Sequence, residues 1–356
     1  MSLLPRRAFL GAELPPDEEA FTDDGMRIAG VVEGGMAAAA GLVAGDVLVT
    51  LAGHRVRNLC ELGEALRAAG RNRAAEIVTR RGSIVVDTTT QATEVGVEYG
   101  EVAVDRARLR TLTMREGGSR GVVVMIQGIA CESVEQRPYS SLAHALAYAG
   151  FTVVRFDKRG VGDSEGGPCN KTDFATELAD ARAVVEEARA LGGPLYIFGH
   201  SVGAIIAPHI DADAYAVFGA PMMPWIECLL DSVRRQLALR GITDEAELDK
   251  IRDLRERGEL NGRSAAYHEQ LAALPNAWPA IKKPVLVLRG EYDWVVHHDD
   301  ADELVRVTNG TLVDLGGIDH LAGRHESREA SLRDYGAGEY DDGLANALIA
   351  WLSALR

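Results

Sequence analysis

The sequence predicts an α/β protein in which a mostly parallel sheet carries helices on both faces and is preceded by a small β-rich module. Three observations predict it. Apolar runs of strand length alternate with helix-length segments from residue 121 onward, the pattern of a layered parallel sheet. One of those runs, Leu195-Tyr196-Ile197-Phe198, breaks into Gly199-His200-Ser201-Val202-Gly203 and then into a small-residue helix pattern. Ahead of residue 92 the elements are short strands with one small and one amphipathic helix, a different architecture.

At 356 residues the chain has room for two domains, and 47% hydrophobic with 26% charged residues allows a sizeable core. A formal net charge of −15 argues against nucleic acid as a partner, because such partners require a basic footprint. No apolar run reaches the roughly 20 residues that cross a bilayer, so no membrane partner is expected. The opening Pro5-Arg6-Arg7-Ala8-Phe9-Leu10 is similar to a twin-arginine export motif, yet polar and acidic residues follow where an apolar segment belongs, which predicts no signal peptide. Cys60, Cys131, Cys169 and Cys228 are scattered without metal-ligand spacing, which predicts a reduced, cytoplasmic setting and no metal.

In the first module, residues 1–91, the segment 26–32 reads as a strand and Glu33-Gly34-Gly35 as a turn. A short helix over 36–41 is closed by glycine, and 44–56 reads as turn, strand, tight turn, strand. Asn58 caps a helix over 59–69, and 74–79 is a further strand. The run Gly30-Val31-Val32, Gly34-Gly35, Ala37, Ala40-Gly41-Leu42, Gly45-Asp46 and Leu48 resembles the signature of bacterial PDZ domains. That resemblance implies a groove taking an extended peptide as an added strand, with the loop for a terminal carboxylate at Phe9-Leu10-Gly11-Ala12 and the groove helix at 59–69. Leu10, Gly11 and Ala12 are therefore the candidate groove residues, followed by the insertion Pro15-Pro16-Asp17-Glu18-Glu19. The module either recruits a peptide or protein C-terminus or serves as a docking surface for its own neighbour.

In the second module, residues 92–356, strands are expected at 95–97, 101–104, 109–114, 121–127, 151–156, 195–198, 215–218, 285–289 and 312–315. Helices are expected at 139–149, 173–191 and 344–355. Residues 222–280 interrupt the alternation with three helical segments, 225–239, 244–257 and 264–274, in the position of a lid. Trp225, Leu229, Leu230 and Trp278 are candidates to line a pocket beneath it, and Cys131, His200 and Trp294 are placed beside the same site.

The chemistry centres on Ser201. A serine on a sharp strand-to-helix turn is held in a strained backbone conformation that projects its hydroxyl, and Gly199 and Gly203 leave room for the close packing of that turn. An activated serine needs a base, and the base needs an orienting carboxylate. Asp293 follows the strand at 285–289, and His320 follows the strand at 312–315. The Val202 N–H at the helix start is one oxyanion donor, and Ile129 in Gln127-Gly128-Ile129 supplies the second. Cys131 has no histidine paired with it and reads as a small buried filler; His297 and His298 are expected on the solvated surface, and His325, near enough in sequence to rival His320, is expected deeper in a polar loop.

The chain order Ser201, Asp293, His320 is that of α/β-hydrolases. The segment Arg155-Phe156-Asp157-Lys158-Arg159-Gly160-Val161-Gly162-Asp163-Ser164-Glu165-Gly166, with Asp173-Phe174, Leu178 and Pro224-Trp225, resembles the proline iminopeptidase and serine aminopeptidase group of that fold. The resemblance implies a serine hydrolase acting on a small-molecule ester, thioester or amide through an acyl-enzyme, without metal or organic cofactor. Because one scaffold hosts many reactions, acyl transfer, cyclisation or lyase chemistry in a biosynthetic pathway remains open, as does a binding or scaffold protein with a vestigial site.

Overall fold

The computed structural model describes residues 3–15, 20–117, 119–244, 246–334 and 338–355, so most of the acidic insertion, residues 16–19, lies outside the described residues. The second module is organised on eight strands: β1 Val97–Val104, β2 Ala107–Met114, β3 Val122–Ile126, β4 Thr152–Phe156, β5 Leu195–His200, β6 Ala214–Phe218, β7 Val285–Gly290 and β8 Thr311–Leu315. Their order in the sheet is β8-β7-β6-β5-β3-β4-β2-β1. β1 and β2 form an antiparallel hairpin joined antiparallel to β4, and every other pairing is parallel. The order doubles back at β3, so the loops leaving β3 and β5 meet above neighbouring strand ends, where such sheets hold their ligands.

Period-2 alternation splits the apolar side chains of each strand between two cores. Val122, Val124 and Ile197 face Phe174, Leu178 and Leu304, on the helices Phe174–Arg189 and His298–Thr308. Val123, Met125 and Phe198 face Leu142, Leu146, Leu344 and Leu348, on the helices Tyr139–Tyr148 and Gly343–Ala354. Strands buried on both faces must read as continuous apolar runs, and β3, β5 and β6 do. The lid consists of Trp225–Leu239, Ala246–Arg252, Leu254–Arg257 and Ala265–Ala273.

Preceding this sheet, the strands Phe21–Thr22, Gly25–Arg27, Val47–Leu51, Ala74–Thr79 and Gly82–Asp87 form a second, smaller sheet against the helix Leu59–Gly70. Asn58 caps that helix by accepting from the Glu61 N–H at 2.9 Å.

Four expectations need correction. The strand at 26–32 is two strands, because Gly25–Arg27 pairs with Val47–Leu51 while Gly30–Val31 turns away to pair with Ala12–Glu13. The separate strands at 95–97 and 101–104 are one, since the ladder to β2 runs unbroken from Val97 to Val104. The lid helix at 244–257 is two, ended by Gly258 at φ 80°. The cysteines are not four separate thiols: Cys131 and Cys169 form a disulfide, leaving Cys60 and Cys228 free. The bridge joins the loop after β3 to the loop after β4, a proximity that a 38-residue separation does not reveal.

The two modules are held together by buried charge. Asp163, fully buried in the loop after β4, accepts from Arg6 Nη1 at 2.6 Å, the Arg7 N–H at 2.9 Å and Arg110 Nε at 3.1 Å. Glu135 pairs with both Arg6 and Arg7 at 2.6 Å, and Leu4 donates its N–H to Glu101 at 2.8 Å. Removing one partner of a buried pair leaves the other charge uncompensated. Asp163→Ala is therefore expected to lower the unfolding free energy by about 3–5 kcal/mol in urea titration, against under about 1 kcal/mol for Glu61→Ala in the exposed Arg57–Glu61 pair. Equal small losses would contradict the assignment.

Candidate active site

β5 ends at His200, and the chain enters the helix Val202–Ile206 through Ser201 at φ 54°, ψ −119°. A left-handed backbone is unfavourable for serine, and its surroundings hold it there. The Ser201 N–H donates to the Phe218 carbonyl at 2.9 Å, and the Ala204 N–H returns to the Ser201 carbonyl at 2.9 Å. The turn leaves no space for side chains: a Cβ on Gly203 would lie 2.0 Å from the Ile126 carbonyl oxygen, and one on Gly199 would lie 2.6 Å from the Gly203 carbonyl oxygen.

Asp293 follows β7 and His320 follows β8, both within the same strand-end region. Asp293 Oδ2 accepts from His320 Nδ1 at 2.8 Å, and Oδ1 accepts the Val295 and Val296 N–H groups at 2.8 Å each. Burial alone would raise the Asp293 carboxyl, but His320 and these two N–H groups hold it below the usual carboxylate range. The carboxylate thus fixes the Nδ1–H tautomer and leaves Nε2 of His320 as an acceptor. Ser201 and His320 line one cleft without a direct hydrogen bond, a contact that commonly tightens only once substrate is held. Gly219, at φ 59°, makes room for this pair, since a Cβ there would lie 2.7 Å from the imidazole.

Behind the pair runs a chain of hydrogen bonds with one proton arrangement. His200 Nε2 faces the His320 carbonyl at 2.8 Å, so it donates, and Nδ1 must accept from the Tyr139 hydroxyl at 2.7 Å. The Tyr139 oxygen accepts in turn from the Gly128 N–H at 3.1 Å. Burial, with His320 alongside, depresses His200 to about 3, so it stays neutral, and burial raises Tyr139 so that it stays a donor. The loop after β3 is thereby tied to the loop bearing His320.

The cleft has a volume of about 1570 Å³ and runs from Ser201 and His320 under the lid. Trp225, Leu229, Val233, Leu237 and Ile251 form an apolar wall, and Arg240, Asp244 and Lys250 lie among the polar lining. His200, Trp294 and Ile129 also line it. Val202 sits buried at the helix start, and among the described residues neither its N–H nor that of Ile129 meets an acceptor.

Other placements differ from expectation. Cys131 is not part of the cleft wall, because its sulfur is committed to Cys169. Trp278 packs edge-on to Tyr215 in the core, and Leu230 packs against the same core. His325, expected deep in a polar loop, has its side chain packed inside. It is buried with Nε2 3.0 Å from Asp319 Oδ2, and Asp319 also takes the Leu321 and Gly323 N–H groups and the Ser331 hydroxyl. Trp294 Nε1 donates to Ser331, so this second His–Asp pair braces the His320 loop. In the first module, Leu10 is buried, Gly11 at φ 65° stacks on Gly35, and Ala12 pairs with Val31. The Phe9 and Leu10 carbonyls accept the Met36 and Ala37 N–H groups.

Sequence reasoning missed Tyr139, Lys158, Gly219, Glu177 and Arg263. Only Lys158 carried a signal, as a cation between Asp157 and Arg159 just past the strand at 151–156.

Comparison with known proteins bears on the fold. A family model described as serine aminopeptidase, S33, matches residues 117–230, and a PDZ domain model matches residues 27–81. The structure is similar to that of DcsB in complex with its substrate analogue, at TM-score 0.51 and 17% identity, covering 72% of this chain and 99% of that one. It is similar to Est1E from Butyrivibrio proteoclasticus with ferulic acid bound, at 0.50 and 17%, covering 67% and 96%. A Pyrococcus furiosus esterase aligns at 0.50 and 15%, covering 72% and 90%. Among curated proteins, none matches the chain. The protein is a serine hydrolase of the α/β-hydrolase fold. More particularly, its first module matches the PDZ domain model, and its second resembles the serine aminopeptidase group over residues 117–230.

A pH prediction follows from His200. Its folded value of about 3 lies below the unfolded 6.5, so between these limits the unfolded chain binds one more proton. The contribution is complete above pH 6.5 and is lost as pH falls toward 3, at up to about 1.4 kcal/mol per unit. His200→Asn is expected to flatten the stability–pH slope of this interval by one proton in denaturant titrations. An unchanged slope would place the buried neutral histidine elsewhere.

Proposed function

We propose that the protein cleaves a carboxylic ester or thioester through an acyl-enzyme on Ser201, with Asp293 and His320 completing the triad. The observation that carries this reading is the His320 Nδ1–Asp293 Oδ2 bond, which leaves Nε2 free on the cleft that also exposes Ser201. His320 Nε2 takes the proton of Ser201 as its oxygen attacks the carbonyl carbon, and the oxyanion is received by the Val202 and Ile129 N–H groups. Collapse breaks the bond to the leaving group, which departs with the proton from His320. Water, deprotonated by the same nitrogen, then attacks the acyl carbon and regenerates Ser201.

The apolar wall from Trp225 to Leu237 suits the hydrocarbon part of an acyl group, with a polar end toward Arg240 and Lys250. Esterases such as Est1E and the Pyrococcus furiosus protein share the fold, which supports the ester over the amide. The first module is proposed to recruit a peptide or protein C-terminus at Leu10–Ala12. A cleft larger than the usual 300–1,000 Å³ or so also leaves space for an acyl acceptor other than water, so transfer or cyclisation is the second reading. Among the described residues, no helix is long and apolar enough to cross a membrane. A reduced, cytoplasmic setting was expected from four scattered cysteines without metal-ligand spacing; two of them form the Cys131–Cys169 bridge, and Cys60 and Cys228 are free.

The test is turnover of p-nitrophenyl esters of increasing chain length. Ser201→Ala and His320→Ala are expected to lower kcat by at least about 10⁴-fold, with the wild type favouring medium over acetyl chains. Full activity in Ser201→Ala would refute the mechanism. Incorporation of one ¹⁸O from labelled water into the acid product identifies hydrolysis, and its absence identifies transfer. For the PDZ groove, a bound C-terminal peptide is expected to lose its affinity on amidation of its carboxylate, measured by fluorescence polarisation. Equal binding of the amide would remove the carboxylate loop from the account.

A further inference from the structure

Lys158 is a buried cation, in the loop following β4, that the mechanism above does not use. Its Nζ donates to the Gly128 carbonyl and pairs with Glu177 Oε1 at 2.7 Å. Glu177 also pairs with the buried Arg263, whose guanidinium lies 4.0 Å from the Tyr267 ring centre. A buried ammonium is costly unless paired and hydrogen-bonded. Burial and the Arg263 guanidinium push Lys158 well below the ordinary lysine range, Glu132 acts in the opposite direction, and Glu177 is the carboxylate in direct contact.

The partner of Lys158 is informative. The Gly128–Ile129 peptide is trans, so its carbonyl and its N–H point to opposite sides. Turning the Gly128 carbonyl onto Lys158 therefore turns the Ile129 N–H away from it. Tyr139 holds the Gly128 N–H at 3.1 Å, so this glycine is pinned from both sides. Gly128 also lies against the nucleophile, since a Cβ there would lie 3.1 Å from Ser201 Cβ. A cation on the carbonyl polarises the peptide and strengthens its N–H as a donor.

We propose that Lys158 is a positioning residue: by holding the Gly128 carbonyl, it presents the Ile129 N–H to the oxyanion that forms over Ser201. The proposal rests on the reading of Ser201 as nucleophile and Ile129 as oxyanion donor. Without the ammonium the peptide is free to rotate, and the donor has to be reorganised during the reaction instead of being in place beforehand.

The test compares wild type with Lys158→Met on the best p-nitrophenyl ester, together with binding of an alkyl boronic acid and of a matching carboxamide. A boronic acid captured by Ser201 carries the tetrahedral anionic charge, whereas the carboxamide resembles only the ground state. Lys158→Met is expected to lower kcat by about 10²-fold with KM within about twofold, since loss of one oxyanion donor costs about 10²–10³. Boronate affinity is expected to fall in parallel while carboxamide affinity holds. Lys158→Gln, with a neutral donor one bond shorter, gives an intermediate kcat and serves as the reading if Lys158→Met does not fold. A folded variant with unchanged kcat overturns the proposal, as does an equal fall in boronate and carboxamide affinity, which marks a purely structural lysine. Wild type lacking Ser201-dependent turnover overturns the underlying reading; Ser201-dependent turnover undiminished in Lys158→Met overturns the proposal alone.

Discussion

At Ser201 the backbone passes from strand to helix at φ 54°, ψ −119°, a conformation that costs of order 1–3 kcal/mol and survives only where its surroundings enforce it. Enforcement comes from the register of the sheet. β3, β5 and β6 are parallel neighbours, so the Phe218 carbonyl takes the Ser201 N–H and Gly203 packs directly over the end of β3. The two glycines of the turn are required by space: a single Cβ at Gly203 would collide with the Ile126 carbonyl. The Ser201 side chain is thus held by hydrophobic strand packing far more extensive than the turn itself.

The remaining groups of the site are held by polar contacts that bind one loop to the next. Tyr139 and His200 link the Gly128 loop to the His320 carbonyl, and Asp319 with Ser331 and Trp294 braces the His320 loop from the other side. Lys158, Glu177 and Arg263 bring the loop after β4 and the lid into the same network, and Arg263 also donates to both sulfurs of the Cys131–Cys169 bridge. Farther out, Asp163 and Glu135 receive the arginines that begin the first module. Each of these charges is paired, as burial demands. The PDZ module is therefore joined to the catalytic domain at loops that also shape the cleft.

Much of this was legible in the sequence because it rests on local pattern. Apolar run length placed β3 to β8, and G-x-S-x-G between a strand and a helix identified Ser201. Strand ends marked Asp293 and His320, which the structure brings into contact. What stayed hidden depends on tertiary proximity. The Cys131–Cys169 bridge joins two loops brought together only because β3 and β4 are adjacent. Burial of Lys158 becomes tolerable only when Glu177, on a later helix, and Arg263, in the lid, arrive beside it. The segment at 26–32 reads as one strand by composition, while its division follows from a change of partner no local pattern announces. His325 read as a polar-loop residue because no local pattern shows that Asp319 is its buried partner.

The central claim is that Ser201 is an activated nucleophile, and covalent labelling tests it most directly. The full chain is treated with a fluorophosphonate, and the modified peptide is identified by mass spectrometry. The account predicts one adduct, on Ser201, formed in the wild type and abolished both by His320→Ala and by Ser201→Ala. Labelling at another residue, or folded wild-type protein that remains unmodified while hydrolysing esters, would contradict it.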